Sequence, residues 1–269
     1  MANRLKLCGC ILLTALFSLH VIAQETSPPF RARTKVPRLE VEATNSTPGS
    51  IKVVLLKSYG ETSGWHELKT EWPKYGSKPI VIDDRTFLFR DFTYQDLVDS
   101  GADVIVLSDP AGGLQVYSQD EIDAVAQYAS TGHVVLGTFV VFQWYQTDNR
   151  GLAPIFGLSS QIAYNTFAVS LSNLFKKVGE DQCLFSGLSG GYWRSKGYPS
   201  TQRPISLLPW PAALAGASIA AESDVFNGIV STFNGGTYTA IYISNFPEYR
   251  GGVNDKQLLY NAVTCYVTQ

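Results

Sequence analysis

Ile51-Lys52-Val53-Val54-Leu55-Leu56 and Ala102-Asp103-Val104-Ile105-Val106-Leu107 are two near-continuous apolar runs, and the fold class follows from them. A strand with one face in water alternates apolar and polar residues. A strand covered on both faces reads as an unbroken aliphatic run. Both segments read the second way. Between them, Trp65, Leu68 and Trp72 recur at helical spacing within Trp65–Tyr75, and Pro79-Ile80-Val81-Ile82-Asp83 reads as a second strand. Thr93 with Asp96, and Ser118 with Glu121, are capping-box pairs that open helices. The second of these helices carries Ile122, Val125, Ala126 and Ala129 on one face and stops near Gly132, before a fourth strand at His133-Val134-Val135-Leu136. Strands and helices alternating with short connections predict an α/β sandwich around a right-handed, mainly parallel sheet.

The chain is less regular further out. Leu184 to Pro211 is dense in Gly, Ser, Pro and aromatics and reads as a long ordered loop region. Gly228–Phe233 and Thr237–Ile243 flank Asn234-Gly235-Gly236, a strong hairpin signal. Asn254 is placed to cap a final helix carrying Leu258, Leu259, Ala262 and Val263. The expectation is one α/β domain over residues 51–269 with an antiparallel hairpin extension. Residues 24–50 lack periodicity and read as a flexible linker, which holds the glycosylation sequon Asn45-Ser46-Thr47. Residues 1–23 read as an export signal: Arg4 and Lys6 precede the apolar stretch Leu7–Leu19, and Val21-Ile22-Ala23 offers small residues for cleavage. The expected product is a secreted or otherwise exported protein with no membrane span after cleavage; an uncleaved anchor is the alternative.

Composition narrows the classes. The chain has 269 residues, of which 45% are hydrophobic and 16% charged, which excludes a disordered tail and a coiled coil. Without Arg4 and Lys6, 19 basic residues face 23 acidic ones, a net charge of −4, so no nucleic-acid partner is expected. Cys183 and Cys265 survive cleavage. In an oxidising compartment they can pair, or they can stay as buried thiols, and the sequence leaves both open. With only His66 and His133 beside them, no metal site is expected, because structural zinc wants four closely spaced Cys or His ligands. Gly112-Gly113 lacks the spacing and Lys of a phosphate loop, and no cofactor is expected.

In open parallel sheets, ligands collect beyond the carboxyl ends of the strands. Those ends read Ser58-Tyr59-Gly60, Asp83-Asp84-Arg85, Ser108-Asp109-Pro110, Gly137-Thr138-Phe139 and Ser244-Asn245-Phe246-Pro247-Glu248. Leu107-Ser108 with its Pro- and Gly-rich loop is similar to the oxyanion loop of class I glutamine amidotransferases. Gly137-Thr138-Phe139-Val140 falls where that family has its Gly-x-Cys nucleophile elbow, and Phe246-Pro247-Glu248 looks like its closing His-Pro-Glu. The order and spacing match over most of Ile51 to Val267 and resemble the trehalose-utilisation-type and exported members. The resemblance implies a flavodoxin-like three-layer sandwich.

The departures decide the chemistry. Phe139 stands at the nucleophile position and Phe246 at the histidine, and a phenyl ring neither attacks a carboxamide nor moves a proton. Asp109 stands where the oxyanion loop has Gly, and its charge opposes that of an acyl-transfer intermediate. No glutaminase activity is expected. The favoured reading is a domain that binds a small polar or carbohydrate ligand at the strand ends, through Ser58, Tyr59, His66, Asp84, Arg85, Ser108, Thr138, Ser244 and Asn245. The alternative is a hydrolase of glycosides or related polar substrates, with Asp83, Asp109 and Glu248 as catalytic candidates beside Asp84. Each residue also has a bland reading: an Asp that bonds a turn, a helix-surface His66, a structural His133, an Arg85 that neutralises its neighbours. The aromatic loop Tyr192–Tyr198, with Trp193 and Arg194, is expected either to grip a protein partner or sugar, or to fold inward over the sheet edge.

Overall fold

The computed structural model describes residues 49–57, 64–88, 90–108, 110, 114–144, 146–161, 164, 166–168, 174–179, 181–188, 190–194, 200–202, 214–223, 230–248 and 251–268. The export signal, Asn45, Ser58, Tyr59, Asp109 and Tyr198 lie outside them, as do the side chains of Arg85 and of residues 192–194.

The first half alternates as expected: β1 (Ile51–Leu56), α1 (Trp65–Glu71), β2 (Ile80–Phe87), α2 (Tyr94–Ser100), β3 (Val104–Ser108), α3 (Gln119–Ser130) and β4 (Val134–Thr138). The second half holds β5 (Gln143–Trp144), β6 (Thr147–Asp148), β7 (Thr166–Ala168), β8 (Leu174–Lys177), β9 (Tyr192–Arg194), β10 (Ser200–Gln202), β11 (Ala217–Ser223), β12 (Val230–Asn234), β13 (Thr239–Ile243) and α4 (Val253–Thr264). Among the described residues, nine strands form one sheet in the order β2-β1-β3-β4-β13-β12-β11-β8-β9. The first five are mutually parallel, with Val54 opposite Ile105 and Leu55 opposite Val106. That order is flavodoxin-like, with its reversal between β1 and β3. From β13 onward the pairing is antiparallel, so the expected hairpin is the start of a four-strand wing.

The apolar runs are continuous because each strand feeds two cores. Val53, Leu55, Val104, Val106, Val134, Leu136 and Ile241 pack with α1 and α4 on one face. Val54, Leu56, Ile105, Leu107, Val135, Ala240 and Tyr242 pack with α2 and α3 on the other. Burying one such aliphatic side chain contributes about 1.5–3 kcal/mol. Both capping boxes form: Thr93 N–H donates to Asp96 at 2.8 Å, and Ser118 N–H to Glu121 at 2.8 Å.

Three expectations change, and the pairing of the two cysteines, left open by the sequence, is decided. Asn254 is not the cap of α4: the helix starts at Val253, and the Asp255 carboxylate accepts from Gly252 N–H at 2.8 Å. Asp83-Asp84-Arg85 does not lie beyond β2 but inside it, because the strand bulges opposite Leu55 and resumes with Phe87 against Leu56. The region 184–211 includes two short strands, and Tyr192–Arg194 forms the far edge of the large sheet. Cys183 and Cys265 are bonded, with Cα atoms 5.7 Å apart, tying the end of α4 to the turn at 182–187.

Candidate functional site

Backbone strain gathers just beyond the parallel strands. Among the described residues, the non-glycine positions with positive φ are Lys57 (42°), Leu114 (56°) and Phe139 (51°). Lys57 and Phe139 directly follow β1 and β4, and Leu114 belongs to the loop after β3. An L-residue in this region costs about 1–2 kcal/mol, and such strain gathers at functional sites. At Phe139 the turn is held by bonds from its N–H to the Ile243 carbonyl (2.9 Å) and the Asn245 carbonyl (3.0 Å). Its own carbonyl accepts from the Tyr242 hydroxyl at 2.9 Å. A strained turn therefore follows β4, with a bulky aromatic in it. A hairpin and a 3₁₀ helix over 150–156 follow, rather than an α-helix.

The ring of Phe139 stacks face to face on Phe246, centroids 5.0 Å apart and planes within 1°. Trp144 leans on Phe139 at 6.3 Å, and Val140 completes the cluster. Phe139 and Phe246 thus form an apolar contact between the ends of β4 and β13. Both rings are buried, while Trp144 is only partly so.

Beside the stack sits Glu248, 1% exposed. The Ser108 and Thr138 hydroxyls, at the ends of β3 and β4, both donate to its Oε1. Burial pushes its pKa up to about 7, against the lowering effect of those two bonds. The Trp65 indole also lowers it, although its N–H lacks good hydrogen-bond geometry to the carboxylate. Gly64, which opens α1, lies so close to Glu248 that a Cβ on it would stand 1.6 Å from the Glu248 carbonyl oxygen. Ser244 and Asn245 are buried in the same turn.

The remaining described carboxylates of the candidate set have other partners. Asp83 accepts from Thr86 N–H at 2.9 Å and from the Thr86 hydroxyl. Asp84 is buried and bonds His66 Nδ1 at 3.0 Å and Lys69 Nζ at 2.6 Å, both on α1. Burial alone would raise the Asp84 pKa, but the bonds and charges of Lys69 and His66 outweigh it and the net direction is down. The bulge in β2 therefore sends Asp84 to α1, whereas Glu248 joins β3 to β4. His133 stacks on Tyr128 at 4.0 Å as a packing residue, and burial lowers its pKa.

Sequence reasoning misses Lys57. Its Nζ donates to Glu121 (2.9 Å), Asp91 (2.8 Å) and the Val116 carbonyl (3.1 Å), next to the Tyr117 ring. The only local signal is a cation closing an apolar run, which reads equally well as a solvated strand end. Among the described residues no group of three His, Cys, Asp or Glu side chains is placed to hold a metal ion. No described helix is long and apolar enough to cross a membrane.

No protein-family model matches the chain, and no curated protein matches it in sequence. Solved structures match in fold. A cytoplasmic protein from Salmonella typhimurium LT2 is 11% identical, with a TM-score of 0.56 over 81% of this chain and 100% of that one. A ThuA-like protein from Bacteroides uniformis is 16% identical, with a TM-score of 0.52 over 85% of this chain and 94% of that one. A GMP synthase-type protein from Thermoplasma acidophilum is 16% identical, with a TM-score of 0.45 over 80% of this chain and 92% of that one. The first two likenesses show the fold alone. The chain has a flavodoxin-like α/β fold.

Proposed function

We propose that this chain is an exported, glutamine amidotransferase-like domain without amide-transfer chemistry, which holds a small polar or carbohydrate ligand above the carboxyl ends of its parallel strands. The carrying observation is the Phe139–Phe246 stack at the strained elbow. Strain kept where no nucleophile stands argues that the turn still serves recognition. An aromatic surface with a few polar groups beside it suits a sugar or similar ligand, and the partly buried Trp144 is the part of this cluster nearest solvent. The Cys183–Cys265 bond supports export, since disulfides persist in oxidising compartments.

Two measurements test this. The purified protein releases no ammonia from glutamine above buffer; turnover that disappears in a cysteine variant would overturn the non-catalytic reading. A sugar panel raises the unfolding temperature for at least one member, because a ligand bound only by the native state stabilises it by mass action. Trp144→Ala abolishes that rise. A panel with no effect removes the ligand reading.

The burial of Glu248 favours the hydrolase alternative: desolvation pushes its pKa up to about 7, which suits a general acid. Against it, Asp83 and Asp84, the described candidates for a second carboxylate, are engaged with Thr86 and with α1. Activity on aryl glycosides that vanished in Glu248→Gln would promote this reading over the first.

A further inference from the structure

Lys57 is 4% exposed, while Asp91, one of the two carboxylates on its ammonium, has a side chain 94% exposed. The other carboxylate, Glu121, is buried and belongs to the first turn of α3. The Val116 carbonyl takes a third bond. Two of the three partners are therefore fixed in the fold, and one reaches in from solvent. The position is where ligands gather in this class of sheet: the end of β1, at the reversal between β1 and β3, on a residue with φ of 42°.

We propose that the Lys57 ammonium is a binding point for the carboxylate of a small acidic ligand, with Asp91 as a built-in competitor that occupies it when the ligand is absent. This deepens the reading of a polar or carbohydrate ligand, rests on it, and makes a sugar acid the matching class. A carboxylate is the group, because Asp91 already places one there at 2.8 Å. Displacement, rather than addition, is the mode. One ammonium already faces two carboxylates, so a third anion would meet net negative charge while Asp91 stays. Lys57 holds the Asp91 carboxyl below its ordinary pKa, so the competitor remains charged at neutral pH. An intramolecular competitor lowers apparent affinity by the fraction of time it fills the site.

The test is titration calorimetry on the full chain with glucuronate, glucose and inorganic phosphate as separate probes. Asp91→Asn binds glucuronate about fivefold tighter than wild type, the scale of losing one solvent-exposed ion pair, with glucose unchanged. Adding Lys57→Met to that variant abolishes the gain; if the double variant fails to fold, Asp91→Asn alone decides. Equal glucuronate affinity in wild type and Asp91→Asn overturns the proposal. A gain shared by glucose, or seen with phosphate and not glucuronate, also overturns it. Glucose bound alike by every variant, with no preference for glucuronate, removes this site and leaves the broader ligand reading standing. No binding of either sugar removes both.

Discussion

Glu248 puts a carboxyl in the core between two hydroxyls rather than beside a cation, and proton linkage makes that measurable. The folded chain keeps the proton up to about pH 7, whereas an unfolded chain releases it near the ordinary value of 4.5. Between those values the native state binds more protons, so stability falls as pH rises from about 4.5 to about 7 and then levels. The loss is on the order of 3 kcal/mol for a fully buried group with this shift. Glu248→Gln keeps the shape without the titration, and the difference between variant and wild-type urea midpoints should change across that window. Parallel curves would mean the carboxyl titrates normally. Asp84 acts in the opposite sense. Held ionised by Lys69 and His66, it contributes stability above its unfolded value near 3.8, and loses it as the medium becomes more acidic. Gly64 is a second residue with a sharp expectation. A methyl group there has no room against the Glu248 carbonyl, so Gly64→Ala should cost about 1–3 kcal/mol or more in chemical denaturation. A neutral result would show that α1 and the Glu248 turn slide apart freely.

At the scale of elements, α3 carries two devices on its first turn, and they should separate by size. Ser118→Ala removes the hydroxyl that accepts from Glu121 N–H and should cost about 1 kcal/mol. Glu121→Gln leaves the Lys57 ammonium buried without its interior partner and should cost about 3–5 kcal/mol. The reverse ranking, read from urea midpoints, would show that the ion pair is not what anchors α3 to β1. The capping boxes are legible in the sequence because their partners lie three residues apart. The parallel strands are legible because a strand buried on both faces shows no alternation. β2 reads four residues short: four polar or charged residues in a row, Asp83 to Thr86, argue against a strand, and only pairing of Phe87 with Leu56 carries it past the bulge. The short strands β8 and β9 have no such signature, since their partners arrive from distant segments. In the candidate site, Ser108, Thr138, Phe139 and Glu248 are visible because each follows or closes a strand end. Lys57 is not, because its partners Asp91 and Glu121 come from other elements.

At the scale of the molecule, the Cys183–Cys265 bond joins residues 82 apart in sequence. A cross-link across so long a loop restricts the unfolded chain, so reduction or Cys265→Ser should lower unfolding stability by about 2–5 kcal/mol. Unchanged denaturation under reductant would mean that α4 and the turn at 182–187 hold together by packing alone. The strand order also bears on how the sheet is made. β4 ends at Thr138 and its parallel neighbour β13 begins at Thr239, so everything between them, including all four strands of the antiparallel wing, is a detour of about 100 residues inside the parallel core. A ribosome adding about 5–20 residues per second needs roughly 5–20 seconds to traverse that detour. During this interval four strands are already made, and the exposed edge of β4 waits for its closing neighbour. The nascent chain thus spends that time with an open, aliphatic strand edge, the segment a chaperone would be expected to cover.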